Sequence, residues 1–212
     1  IGFLTAIQER PFLLLLKTGS KPADYRLGVH ELDQTVGRLI KALEDLELNR
    51  QTIVMFTSES GSAASVARAW GRQVRGGQGK MTDVGINVPL IVSGTYRVRR
   101  GQVIRELVDF SDVFPTLIEL AGGRLPRDQK IDGRSFAGLL KGQPGVPREW
   151  IFSQYGSDRV IRNAQYKLYS NGRLYNLLGD PLEENNLARA NVSEAIAERE
   201  RLNVLLNALP ED

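Results

Sequence analysis

The chain has 212 residues, 42% of them hydrophobic, and carries a net charge of +3 from 28 basic and 25 acidic side chains, so it can bury a core as one large domain or a domain with a subdomain. Its longest apolar block, "FLLLL" at 12–16, is far shorter than the roughly 20 residues that cross a bilayer and too short for a signal-peptide core, which argues against a membrane partner. The absence of cysteine excludes disulfides, thiolate metal sites and a cysteine nucleophile within these residues, and the interspersed charges argue against a nucleic-acid partner, while neither sets the compartment.

The chain opens on Ile1 and reaches an apolar, strand-like element almost at once, an opening expected of a fragment. "PFLLLL" (11–16) reads as a fully buried strand, short and continuously apolar with Pro at its entry. From Asp24 to about Glu47, Leu27, Val29, Leu32, Val36, Leu39, Ile40, Leu43 and Leu46 recur at three- and four-residue steps, which predicts a sheet-covering helix. His30, the single histidine, falls on this helix at an exposed or boundary position. "QTIVMFTS" (51–58) and "VPLIVSG" (88–94) supply two more buried strands, and the order strand, helix, strand predicts a parallel sheet with right-handed crossovers. Between them "AASVARAWG" reads as small and flexible. The basic cluster "YRVRRG" (96–101) lacks the interleaved aromatics of a single-strand binder and reads as a solvated loop.

"SDVFPTLIELAGG" (111–123) has a Ser or Asp cap, helical apolar spacing, Pro115 in the first turn and a Gly pair as its stop. After Pro126 the texture changes to short strands, "WIFSQY", "RVIRN", "YKLYSN" and "RLYNLL", separated by Gly, Asn and Asp, which predicts a small antiparallel sheet. A last amphipathic helix spans about Ser193 to Leu209. "NVS" (191–193) fits an N-glycosylation sequon, and Trp70 and Trp150 read as domain-edge anchors. Asp132-Gly133 with Ser135, and Asp180-Pro181 with Glu183 and Asn186, read as tight turns with helix caps.

Five phrases occur in one order: "LDQTVGRLIKALEDLELNRQTIVMFTSESG", "GGQGKMTDVGINVPLIVSG", "DFSDVFPTLIELAGG", "DGRSFAGLLKG" and "LYNLLGDPLEENNLA". Together they resemble the sulfatases of the alkaline phosphatase superfamily over nearly the whole chain. The resemblance implies an α/β fold. A partial parallel-rich sheet flanked by helices, residues 1–125, would be the C-terminal part of the large domain. Residues 126–212 would form a small antiparallel four-stranded subdomain with a terminal helix.

The resemblance also implies chemistry. Sulfatases cleave sulfate esters with a hydrated formylglycine, made from the Cys or Ser of a [CS]-x-P-x-R motif, beside a calcium ion. No such motif occurs in this chain, so no catalytic residue is assigned within it. "SKPAD" (20–24) has Asp24 in the Arg position, and by location it resembles the family's H-x-P loop, with Ser20 in place of a sulfate-contacting histidine. A serine can donate a hydrogen bond but cannot protonate a leaving group at neutral pH. Glu59 and Ser60 stand at the two metal-ligand positions where the family has Asp and Asn or His. Gln78 stands where the family has its sulfate-binding lysine, and Lys80, two residues on, is a candidate to replace it. In the same block Asp83 replaces Glu and Asn87 replaces Arg.

Three functional readings follow. The first is part of a sulfuric ester hydrolase acting on small-molecule or carbohydrate sulfate esters, inactive on its own and associating with an N-terminal part that carries the nucleophile and two metal aspartates. The second is a non-catalytic binding or assembly protein of the same fold. The third, a phosphodiesterase using two transition metals, would want more than one histidine.

Overall fold

The computed structural model describes residues 2–7, 9–18, 25–62, 67–69, 72–94, 97–145 and 148–210. The chain forms two compact units, Ile1–Phe56 with Ile91–Arg100, and Thr57–Leu90 with Gly101–Asp212.

In the first unit, helix α1 (Gly2–Ile7) and helix α2 (Tyr25–Asp45) precede strand β1 (Ile53–Thr57), which pairs with strand β4 (Leu90–Gly94) in a two-stranded sheet. Leu4, Ala42, Leu43 and Leu48 form its core, with Phe12, Leu39, Leu46 and Val54 packed around them. The apolar stripe of α2 is buried only in its C-terminal half, because Leu27 and Val29 stay exposed. The expectation of a buried strand at 11–16 is overturned. Residues 11–18 join no ladder, and Leu13 and Leu15 are 74% and 91% exposed. A short apolar run has the same composition whether or not an edge exists to receive its backbone bonds, so pattern alone could not decide. Among the described residues the sheet of this unit consists of β1 and β4, in place of the parallel-rich sheet expected. The stretch read as flexible contains strand β2 (Ala67–Ala69), which pairs antiparallel with β3 (Arg72–Val74) just after it. Trp70 lies outside the described residues.

The second unit holds most of the buried core. Helix α4 (Val113–Leu120) follows a 3-10 turn, Phe110–Asp112. Of the Ser or Asp expected as the cap, Asp112 is the N-cap of α4, without a side-chain cap bond, and the 3-10 turn before it is capped by Asp109. Its carboxylate accepts from the Ser111 N–H (2.9 Å), and Asp112 returns the bond to the Asp109 N–H (2.8 Å). The predicted Gly stop forms: Gly122 takes φ +77°, its N–H bonds to Glu119 O, and the Gly123 N–H reaches Ile118 O. This pair of bonds satisfies carbonyls that the helix end would leave orphaned. The "DGRSF" turn is locked to α4 by Asp112, which takes the Arg148 guanidinium and the Arg134 N–H (2.7 Å), and by Thr116, whose hydroxyl accepts from the Phe136 N–H (3.0 Å). Ser135 Oγ accepts from Ala137 N (3.2 Å) at the start of helix α5 (Ala137–Leu140).

The predicted C-terminal sheet is present as four antiparallel strands, β5 (Ile151–Tyr155), β6 (Asp158–Arg162), β7 (Tyr166–Tyr169) and β8 (Leu174–Asn176), in sequence order. Helix α6 (Ser193–Asn207) covers it, burying Ala195, Leu202 and Leu206 against Ile161, Tyr166, Leu168 and Leu174, with Trp150 packed at the margin. Arg159 lies buried beneath this helix, its guanidinium donating to the carbonyls of Leu206, Leu209 and Pro210 and stacking 5.4 Å from the Phe152 ring centroid. Cationic donors there oppose the negative end of the helix dipole.

Candidate functional site

Strand β1 leads into segment 58–62, and helix α3 (Asp83–Ile86) closes the Gly-rich segment that begins near Arg75. These two segments are joined backbone to backbone. The Gly61 N–H donates to Gly85 O (2.8 Å), and the Gln78 N–H donates to Ser62 O (3.2 Å). Three glycines make the approach possible. A Cβ on Gly61 would stand 2.0 Å from Val84 O, one on Gly77 would stand 2.5 Å from Gly85 N, and one on Gly85 would stand 2.1 Å from Lys80 O. No side chain larger than hydrogen fits at these positions unless the backbone moves.

This packing brings the segment of Glu59 and Ser60 onto the segment of Gln78 and Lys80. Glu59, Gln78 and Lys80 are exposed and Ser60 is half-buried. Ser58 Oγ donates to Ser60 O (2.7 Å), tightening the turn, and Ser60 Oγ donates to Gly61 O (3.3 Å). With its proton so engaged, the Ser60 hydroxyl offers an incoming ligand lone pairs only. Ser20 lies outside the described residues. His30 is exposed on α2, with its ring 3.0 Å from the Gln34 amide. The arginines of the basic cluster, Arg97, Arg99 and Arg100, are exposed.

Behind the Gly-rich segment lies a charge network that the sequence did not announce. Glu183 sits at φ +58°, a left-handed conformation uncommon for a side chain of its kind. Its carboxylate takes the Asp83 N–H (2.6 Å), the Lys167 ammonium (2.8 Å) and the Tyr169 hydroxyl. Lys167, fully buried in the middle of β7, also donates to Met81 O. Asp83 in turn accepts from Arg162 Nη1 (2.6 Å) and from the Asn87 amide (3.0 Å). Burial pushes the Lys167 ammonium below its ordinary range, with Glu183 opposing the shift. Burial, then the bond to Glu183, pushes the Tyr169 phenol above its ordinary range. One signal was available in the sequence: a lysine amid the aromatic and apolar residues of "YKLY" needs a partner if it is to be buried.

Among the described residues no group of three or more His, Cys, Asp or Glu could hold a metal ion. Calcium takes roughly six to eight oxygens, and Glu59 with Ser60 offers one carboxylate and one hydroxyl. These residues do not by themselves fit a calcium site.

The family described as Sulfatase matches residues 8–123, more than half of the chain. The chain belongs to the sulfatase family. Among curated sulfatases it is 35% identical to the steryl-sulfatase of Mus musculus over 162 residues, covering 66% of this chain and 26% of that protein. It is 33% identical to arylsulfatase K of Gallus gallus over 178 residues, covering 74% and 32%. The solved structure of a 2-O GAG sulfatase superposes with a TM-score of 0.65 at 27% identity, covering 83% of this chain and 40% of that one. The chain thus spans about a quarter to a third of the length of these curated relatives. The four-stranded antiparallel sheet with its C-terminal helix sits within a sulfatase-like α/β fold, as the sequence motifs implied.

Proposed function

We propose that these 212 residues form the sulfate-facing part of a sulfuric ester hydrolase whose nucleophile and remaining metal ligands come from residues outside them. The observation that supports this reading is the packing of Gly61 against Val84 and Gly85, which holds Glu59 and Ser60 beside the Gly-rich segment of Gln78 and Lys80. In this reading Lys80 supplies the cation for a sulfate oxygen, Gln78 donates a hydrogen bond, and Glu59 with Ser60 contributes oxygens to a calcium site completed elsewhere. The relatives are named for steryl, aryl and glycosaminoglycan sulfates, which supports a sulfate ester of a small molecule or carbohydrate as the substrate. Association with the rest of the fold would cover apolar side chains that are exposed here, such as Leu13 and Leu15.

The 212-residue chain should leave 4-nitrophenyl sulfate unhydrolysed, whereas a longer parent should turn it over in a calcium-dependent way. Turnover by the chain alone refutes the division of labour. A second reading, a non-catalytic member of the fold, is favoured by the simultaneous departure of Ser20, Glu59, Ser60 and Gln78 from the residue types that the family uses at those positions. Calorimetry of the parent with calcium separates the two: tight binding that is lost in Glu59→Ala rules out the non-catalytic reading.

A further inference from the structure

Residues 81–83 are gripped from the C-terminal sheet although they lie 79 to 100 residues away in sequence. Lys167 and Tyr169 of β7 reach Met81 O, Arg162 of β6 reaches the Asp83 carboxylate, and Glu183 takes the Asp83 N–H. The same segment turns at Gly85, whose N–H bonds to Thr82 O and whose carbonyl holds the Gly61 N–H. A continuous path of short contacts therefore runs from the sheet through Asp83 and Gly85 to segments 58–62 and 77–80. Glu183 is the junction, because one carboxylate meets the ammonium, the phenol and the backbone amide at once. Its left-handed backbone is disfavoured for a non-glycine residue, and such a conformation persists where the surroundings fix it.

The geometry points to Glu183 as a positioning residue for the candidate sulfate site: by holding the Asp83 N–H it sets the placement of Gln78 and Lys80 opposite Glu59 and Ser60. The inference rests on the reading of that site as sulfate-binding. The C-terminal sheet is in this way part of the site's construction, although none of its residues is assigned to the reaction.

Removing Glu183 alone strands the buried Lys167 ammonium, so the test changes both. Lys167→Met with Glu183→Gln keeps a carbonyl oxygen for the Asp83 N–H. Lys167→Met with Glu183→Met removes it at the same charge. Amide NMR spectra of the 212-residue chain, titrated with inorganic sulfate, read both effects. In the wild type, sulfate should shift the amides of Gln78 to Lys80. The Gln variant should keep the wild-type amide positions at 58–62 and 77–86. The Met variant should move both sets and weaken sulfate binding about fivefold, which is about 1 kcal/mol. A Met variant with unchanged amides at 58–62 and unchanged sulfate binding overturns the positioning role. A wild type that ignores sulfate instead overturns the site reading beneath it. Should the Met variant fail to fold, hydrogen exchange of the wild type decides. The Gly61, Asp83 and Gly85 amides should exchange through one shared opening, and independent opening of Asp83 overturns the inference.

Discussion

Gly61 and Val84 approach so closely that a Cβ on Gly61 would fall 2.0 Å from the Val84 carbonyl oxygen. The contact is between two backbones, so neither partner can yield by changing a rotamer. Gly61→Ala should therefore destabilise the chain by about 1–3 kcal/mol, the ordinary cost of overpacking, and should loosen the join between segments 58–62 and 77–86. Gly179, with nothing within 4 Å of its own added Cβ, gives the control, and Gly179→Ala should leave urea stability nearly unchanged.

Arg148 and Asp112 form a buried pair, 12% and 4% exposed at the side chain, and Asp112 also holds two backbone N–H groups. Breaking such a pair leaves a charge without its counterion. Arg148→Met is expected to cost about 3 kcal/mol in urea unfolding, and adding Asp112→Asn should recover part of that loss. A double variant no more stable than the single one would show that the capping bonds of Asp112, and not its charge, dominate.

Much of this architecture was readable, and the reasons differ by element. The four short strands of the C-terminal sheet are bounded by Gly, Asn and Asp, and α6 repeats its apolar positions at helical spacing, so local pattern and tertiary fold agree. Strand register in "PFLLLL" had no such support, since apolarity is a demand for cover and says nothing of whether a neighbour supplies it. The hairpin of β2 and β3 is built from "ARA" and "RQV", too short and polar to carry an alternation signal. At the candidate site the motif phrases located segments 58–62 and 75–87, but that their backbones meet at Gly61, Gly77 and Gly85 was not read from them. The charge network behind them was hidden because Asp83 meets Arg162 and Glu183 from 79 and 100 residues away, and single-sequence periodicity has no reach at that distance.

Arg159 closes the C-terminal end of α6 through three carbonyls. Charged donors to backbone acceptors contribute about 1.5–3 kcal/mol when the group is buried, so Arg159→Met should lower stability by that order. Hydrogen exchange should localise the effect. The amides of 204–209 should lose protection first, while β6 and β7 keep theirs.

Tyr169 carries a pH dependence whose sign is fixed by its environment. Burial, then the bond to the Glu183 carboxylate, raises its phenol above the unfolded value of 10.0, so the folded state resists ionisation. Its contribution is fully present below pH 10.0 and declines as the pH rises above that value, where the unfolded chain ionises first. The stability gap between the wild type and Tyr169→Phe, measured by urea unfolding, should accordingly narrow from about pH 9 to about pH 11. A gap that widens over that interval would contradict the assigned bond.

The grip of Glu183 on the Asp83 amide also sets an order of events during synthesis. Segments 58–62 and 77–86 leave the ribosome early, but their last restraint is made 100 residues later in the chain. At about 5–20 residues per second, that is a wait of roughly 5–20 s in which the Gly-rich segment has its join to 58–62 but not the grip of Glu183. Closing so long a loop must also precede any reward from the contact. The candidate site is thus expected to be among the last parts of the chain to reach its final form, and a ribosome stalled before residue 183 would display the site's residues without their arrangement.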